Sequence, residues 1–95
     1  MKLFNVNDPN KPNDCIYIGR GTIYGNPFKI GIDGTRNEVI QKYIEYVENT
    51  PDLKFKILKN LKGKNIMCHC TPKKCHGDYI ISLLSQDVID GVQLE

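Results

Sequence analysis

A glycine-rich segment, residues 19–35, constrains the possible folds more than any other part of the sequence. It reads GRGTIYGNPFKIGIDGT and contains five glycines, which is too many for a helix. It is also too long for a tight turn. We therefore interpret it as a long loop that follows a strand, with regular structure on either side of it.

Three short strands are predicted around this loop. Residues 2–6 and 15–18 flank a turn-forming stretch, and the second of these strands, CIYI, is rich in β-branched and aromatic side chains. Residues 65–70 form the third strand. A short edge strand over residues 88–94, around Asp90-Gly91, is a further prediction.

Three helices are predicted after the loop. Thr35 and Glu38 form a capping box before an apolar face with helical spacing. A second helix has Pro51 at its first position and ends before Gly63. A third helix opens at residue 77 or 78.

The length of 95 residues indicates one domain, residues 1–95. The order of elements predicts a small single-domain α/β fold: a sheet of three to four strands with about three helices packed on it. The strand order is left open. A domain this small gains buried core by self-association, so a homo-oligomer is expected.

Net charge and hydropathy limit the expected partners and cellular location of the protein. A net charge of +2 does not by itself indicate binding to a membrane or to nucleic acid, and nucleic acid ranks low among the expected partners. The sequence has no signal peptide and no apolar run of ~20 residues, so a cytoplasmic location is expected. In that compartment the four cysteines point to free thiols, metal ligands or reactive groups.

The segment MCHCTPKKCHGD, residues 67–78, holds three of the four cysteines and both histidines. Strand alternation places Cys68 and Cys70 on one face near the carboxyl end of the third strand. Cys75 and His76 then fall at a helix N-terminus, a position that attracts anions.

Three interpretations of this segment compete. Zinc is possible, with ligands Cys68, Cys70, Cys75 and His76, although two cysteines one residue apart on a strand lie far apart for one metal. Core packing of the cysteines, with a helix cap at the aspartate, is the plainest alternative.

Catalysis is the third interpretation. Cys75 would be a thiolate because helix dipole and lysines lower its pKa. His76 or His69 would act as its base, and Asp78 would orient a histidine or cap the helix. The side chains of neighbours in sequence often point apart, which argues against a catalytic pair of Cys75 and His76.

The glycine-rich loop has a functional interpretation of its own. Arg20 lies between two glycines and can bind a phosphate or carboxylate. Tyr17 and Tyr24 can stack on a ring, and Asn26 can bind the polar edge of that ring. The spacing fits neither a Walker loop nor a Rossmann fingerprint. The alternative is a structural loop that places Phe28 in the core.

The two segments would meet if the second and third strands are neighbours. The Gly19–Phe28 loop and the Cys68–Asp78 strand–loop–helix would then form one cleft, to which Arg36 at the first helix start would add charge. The predicted ligand-binding residues are Tyr17, Gly19, Arg20, Gly21, Tyr24, Gly25, Asn26, Arg36, His69, Cys75 and His76.

Four motifs carry a resemblance to a known family: Gly-Arg-Gly, Gly-Asn-Pro-Phe, Asp-Gly-Thr-Arg, and Cys-His-Cys-Thr-Pro-Lys-Lys-Cys-His-Gly-Asp. The stretch from about Tyr17 to Leu84 resembles domain of unknown function 4326, a family of small phage and bacterial proteins. His69 stands where the family often has an aromatic residue, and Tyr24 where a tryptophan is frequent. The resemblance implies a site rather than a chemistry, and phage membership suggests sequestration of nucleotide signals such as NAD derivatives.

We therefore expect a protein that binds an anionic, nucleotide- or NAD-related small molecule. The alternatives are a cysteine- and histidine-dependent enzyme acting on a similar substrate, and a zinc-stabilised interaction domain. Ligand identity, metal content and turnover are left open by the residues.

Overall fold

The computed structural model describes residues 2–71 and 73–94, with side chains as far as Ser85. It is an α/β fold of three strands and three helices in this described part, as predicted. In chain order the elements are β1 (Leu3–Asn5), β2 (Ile16–Tyr17), α1 (Arg36–Glu48), α2 (Pro51–Leu61), β3 (Ile66–Cys68) and α3 (His76–Leu94).

The three strands form a parallel sheet with β3 in the centre, in the order β1-β3-β2. Leu3 and Ile16 both lie opposite Ile66, so the strands are in close register. Because parallel strands end at the same edge, the loops that follow β2 and β3 leave the sheet together. The condition for a shared cleft is therefore met.

Helix α1 begins with the predicted capping box. The Glu38 amide donates to the Thr35 hydroxyl at 3.3 Å, and the Glu38 carboxylate accepts from the Thr35 amide at 2.8 Å. The hydrogen bonds that the carboxylate accepts from Thr35, first of all from its backbone amide, lower the pKa of Glu38. Helix α2 begins at Pro51, as predicted, and Thr50 before it makes no side-chain cap.

The core lies between the helices and one face of the sheet. Ile66 and Cys68 of β3 are buried, whereas Met67 between them is only half-buried on the other face. The buried cluster consists of Ile18, Tyr43, Val47, Leu53, Ile57, Leu61, Ile66, Cys68, Cys75, Ile80, Leu83 and Leu84.

The start of α3 packs directly on the sheet at Gly77. A Cβ there would lie 2.9 Å from a Leu3 methyl carbon and 3.1 Å from the Ile18 methyl carbon. Glycine therefore lets the helix N-terminus approach Leu3 at the start of β1 and Ile18 just after β2. This contact holds the 68–76 segment beside the glycine-rich loop.

Two expectations are wrong. Residues 88–94 continue α3 instead of forming an edge strand, because Leu84, Val88 and Val92 extend the four-residue apolar spacing of a helix through the expected turn. Phe28 is half-buried rather than part of the core, and its ring contacts that of Tyr46 edge-on at 6.3 Å.

Two further expectations concern membrane spanning and self-association. In the described ranges 2–71 and 73–94, no helix is long and apolar enough to cross a bilayer. The homo-oligomer stays a prediction.

Replacing Thr35 with alanine should destabilise the fold by about 1 kcal/mol, because the Glu38 amide at the start of α1 loses its acceptor. Urea unfolding would measure the change in free energy. Thr50→Ala is the control for loss of a threonine hydroxyl, since this hydroxyl donates to the exposed Tyr46 carbonyl in the last turn of α1 and caps no helix N-terminus. Equal effects of the two substitutions would contradict the assigned role of the capping box.

Candidate functional site

A cavity of about 370 Å³ lies where the loops after β2 and β3 leave the sheet. The glycine-rich loop forms one wall, residues 36–40 of α1 another, and residues 68–70 and 74–76 the floor. The lining residues are Tyr17, Gly19, Arg20, Asn26, Phe28, Ile30, Arg36, Val39, Ile40, Cys68, His69, Cys70, Lys74, Cys75 and His76.

The charged side chains of this lining are all cationic. Arg20, Arg36 and Lys74 line the cavity, and none of the described aspartate or glutamate side chains does. Arg20 and Arg36 are the two arginines of the whole chain. Elsewhere in the described part, lysine side chains do meet carboxylates, as Lys54 does with Glu48 at 2.8 Å.

The two arginines are held differently. The Arg36 guanidinium donates to the Lys74 carbonyl at 3.0 Å, which ties the start of α1 to the loop before α3. Arg20 is exposed, and the described residues offer it no hydrogen bond or ion pair. One guanidinium is thus fixed in the wall and the other is available to a ligand.

The remaining wall is apolar and aromatic. Val39 and Ile40 of α1 are buried, and Phe28 and Ile30 extend the apolar surface toward the mouth, where Ile30 is 51% exposed. Opposite them, the ring of Tyr17 meets the His69 ring edge-on at 5.6 Å. Such walls suit a flat ring system.

The glycine-rich loop is locked into one shape by its own backbone. A Cβ on Gly25 would lie 2.6 Å from the Gly19 carbonyl oxygen, so this close approach requires glycine. Asn26 donates to the Val39 carbonyl at 3.1 Å and accepts from the Phe28 amide at 2.9 Å. Its amide therefore anchors the loop to α1.

Three residues predicted to bind ligand lie outside the cavity lining: Gly21, Tyr24 and Gly25. Gly21 has φ of +91° and serves the turn. The Tyr24 hydroxyl accepts from Asn60 at 3.1 Å, and its carbonyl accepts from the Tyr43 hydroxyl at 2.8 Å. These roles are structural. The other eight residues of the predicted set come together around the cavity.

The His76 ring is held between the sheet and α1. Its Nε2 lies 2.7 Å from the Ile18 carbonyl oxygen, and its ring is 5.0 Å from that of Tyr43. A carbonyl oxygen only accepts, so Nε2 carries the proton and Nδ1 is the acceptor nitrogen. Burial lowers the pKa of His76, and the nearby Arg20 charge lowers it further. The imidazole is therefore neutral at physiological pH.

The thiols of Cys68 and Cys75 meet at 3.4 Å in the floor of the cavity. The hydrogen bond from Cys75 lowers the pKa of Cys68, and backbone amides of Thr71 and Cys70 lower it further. The same bond, together with burial, raises the pKa of Cys75. The directions of these two pKa shifts run against the predicted Cys75 thiolate and favour Cys68 as the more acidic thiol of the pair.

Cys75 instead caps helix α3. Its sulfur accepts from the Gly77 amide at 3.3 Å, and the Asp78 carboxylate accepts from the Cys75 amide at 3.0 Å. No hydrogen bond joins Cys75 to His76 among the described residues, and Asp78 does not line the cavity. The three residues predicted as catalytic are thus not arranged as nucleophile, base and orienting acid.

The four suggested zinc ligands do not converge either. Among the described side chains, which extend to Ser85, no three histidine, cysteine or carboxylate groups lie together as a metal site would require. Nε2 of His76 is already engaged with Ile18.

Seven cavity residues were absent from the predicted ligand-binding set. Val39 and Ile40 were assigned to the helix core, and Lys74 was noted only for its charge. Cys68 and Cys70 were assigned to zinc or to packing. Phe28 and Ile30 are large apolar residues within a glycine-rich loop. That position in the sequence is the signal that could have marked them as a binding surface.

Comparison with known proteins finds a family that matches most of the chain. The family model described as "Domain of unknown function (DUF4326)" matches residues 4–86, which confirms the resemblance. The chain is also similar to an uncharacterized 12.4 kDa protein in the nrdA-td intergenic region of Enterobacteria phage T4. They are 31% identical over 99 residues, covering 99% of this chain and 89% of the phage protein. No solved structure matches the chain.

Acid should destabilise the protein through His76. Its folded pKa lies below the ordinary 6.5, so the unfolded chain binds more protons as pH falls through 6.5 toward that lower value. Stability is therefore lost on acidification in this window. We expect His76→Gln, which keeps an N–H donor but does not titrate, to lose less free energy of unfolding between about pH 7.5 and about pH 5.

His69→Gln is the matched control, because His69, the other histidine of the chain, is exposed. Urea unfolding of the three proteins at both pH values measures the effect. A wild-type pH dependence that survives in His76→Gln and disappears in His69→Gln would overturn the assignment.

Proposed function

The chain belongs to the DUF4326 family, and we propose that it binds an anionic, nucleotide- or NAD-related small molecule in the cavity between the glycine-rich loop and residues 68–76. The observation that carries the proposal is the charge of the lining. Three cationic residues line the cavity, and among the side chains that the structure describes no carboxylate belongs to the lining.

The charge argument favours a phosphate-bearing ligand. Guanidinium groups bind phosphate and carboxylate through paired N–H donors, and Arg20 has no competing partner among the described residues. Helix α3 also begins at the cavity floor, but the Asp78 carboxylate and the Cys75 sulfur already accept from its first amides, so the charge argument depends on the side-chain cations.

The shape argument favours a ring beside the phosphate. A volume of about 370 Å³ lies within the range of small-molecule sites. Phe28 and Ile30 on one side and Tyr17 on the other provide apolar and aromatic surface. Free phosphate would leave this surface unused, whereas a nucleotide would cover it.

The biological role that fits is sequestration in the cytoplasm of a phage-infected cell. The T4 relative supports a phage setting. Binding without turnover needs only the cations and the ring-binding walls, and neither Cys75 nor Asp78 has the arrangement of a catalytic group. An enzyme is the second candidate, favoured by the Cys68 thiolate in the cavity floor. Turnover of a bound nucleotide that is lost in Cys68→Ser would establish it.

Replacing Arg20 with alanine should weaken binding of AMP, ADP-ribose or NAD about tenfold or more, because a charge-assisted hydrogen bond is lost. Arg36→Ala should do the same and also loosen the wall. Isothermal titration calorimetry measures both. Lys56→Ala is the charge-matched control, since it removes a cation from the exposed face of α2.

Adenosine tests the contribution of the ring to binding separately from that of the phosphate charge. It should bind far more weakly than AMP and be insensitive to Arg20→Ala, because it has no phosphate. Mass spectrometry of the denatured protein provides an independent test, since a tightly held nucleotide would be released. Equal losses in Lys56→Ala and Arg20→Ala, or no binding of any phosphate-bearing probe, would reject the proposal.

A further inference from the structure

Two thiols in the cavity floor form a contact that ligand binding does not use. The sulfurs of Cys68 and Cys75 are 3.4 Å apart, and both cysteines are free. A disulfide bond is about 2.05 Å long, so the sulfurs need to approach by only about 1.3 Å. The side chains are buried, at 1% and 4% exposure, among core residues that keep them facing each other.

We propose that Cys68 and Cys75 are a redox-active dithiol, which a peroxide converts into an intrachain disulfide in the cavity floor.

The cavity gives a small oxidant access to this pair. Both cysteines line it, although their side chains are buried from bulk solvent. The Cys68 sulfur is stabilised by the Cys75 thiol and by the backbone amides of Thr71 and Cys70. The lowered pKa of Cys68 supplies the thiolate that reacts with a peroxide.

The reaction balances with hydrogen peroxide as oxidant. The Cys68 thiolate attacks one peroxide oxygen, the O–O bond breaks, and Cys68 sulfenic acid forms as hydroxide leaves and is protonated to water. The Cys75 sulfur then attacks the Cys68 sulfur and displaces the sulfenic hydroxyl, which leaves as water with the Cys75 proton. In total, two thiols lose two electrons and two protons, and one peroxide becomes two waters.

The other two cysteines are poor partners. Cys70 lies beyond the end of β3 and is only partly buried, and the Cys68 sulfur contacts that of Cys75 instead. Cys15 precedes β2, whose first residue lies opposite Ile66, so it is near the opposite end of the sheet from the carboxyl end of β3. The geometry therefore selects one pairing.

Peptide mapping tests the pairing directly. The purified full chain is treated with one equivalent of hydrogen peroxide, its remaining thiols are alkylated, and it is digested with trypsin. Lys73 and Lys74 lie between the two cysteines, so cleavage separates residues 65–73 from residues 75–95. We expect an intact mass lower by about 2 Da and these two peptides joined, with separate peptides after dithiothreitol. Because residues 65–73 also contain Cys70, fragmentation of the joined pair should locate the alkyl group on Cys70, and an alkyl group on Cys68 would contradict the pairing.

Variants give a second readout. Cys68→Ala and Cys75→Ala should each lose the 2 Da species completely, whereas Cys15→Ala and Cys70→Ala should keep it. If a core variant fails to fold, the wild-type peptide map still decides. A disulfide within residues 65–73, a link to Cys15, intermolecular dimers, or oxygen addition without loss of two hydrogens would each overturn the proposal.

Discussion

Parallel pairing of β3 with both of its neighbours is the constraint on which the site depends. Because β2 and β3 run the same way, the loop after each one leaves from a single edge of the sheet. The ladder is short, with β2 contributing Ile16 and Tyr17 alone. The bond from His76 to the Ile18 carbonyl extends this pairing beyond the strands and fixes α3 against the end of β2.

The cavity concentrates positive charge where the fold does little to neutralise it. Arg36 begins α1, where the helix dipole disfavours a cation. The Lys74 carbonyl offsets part of this cost by accepting a hydrogen bond from the guanidinium. Arg20 and Lys74 add repulsion that an anion would remove.

Local features of the fold were predictable from the sequence, and the details of the site were less so. The capping box at Thr35 needs only residues within one turn, so its pattern is sufficient. The thiolate was assigned to Cys75 from its helix position, but the deciding partner is Cys68, brought beside it by tertiary packing. His76 is oriented by the carbonyl of Ile18, which is 58 residues away. The Asp90-Gly91 pair resembled a turn, but the helical periodicity around it prevailed.

Arg36 is at once a structural tie and a lining group of the cavity. One N–H of its guanidinium holds the Lys74 carbonyl, and the others remain for an incoming anion. An anion that binds Arg36 therefore immobilises the side chain that joins two walls. Ligand affinity and wall rigidity then become coupled through one residue, so the loop that carries Lys74 is expected to exchange its amide hydrogens more slowly in the filled protein.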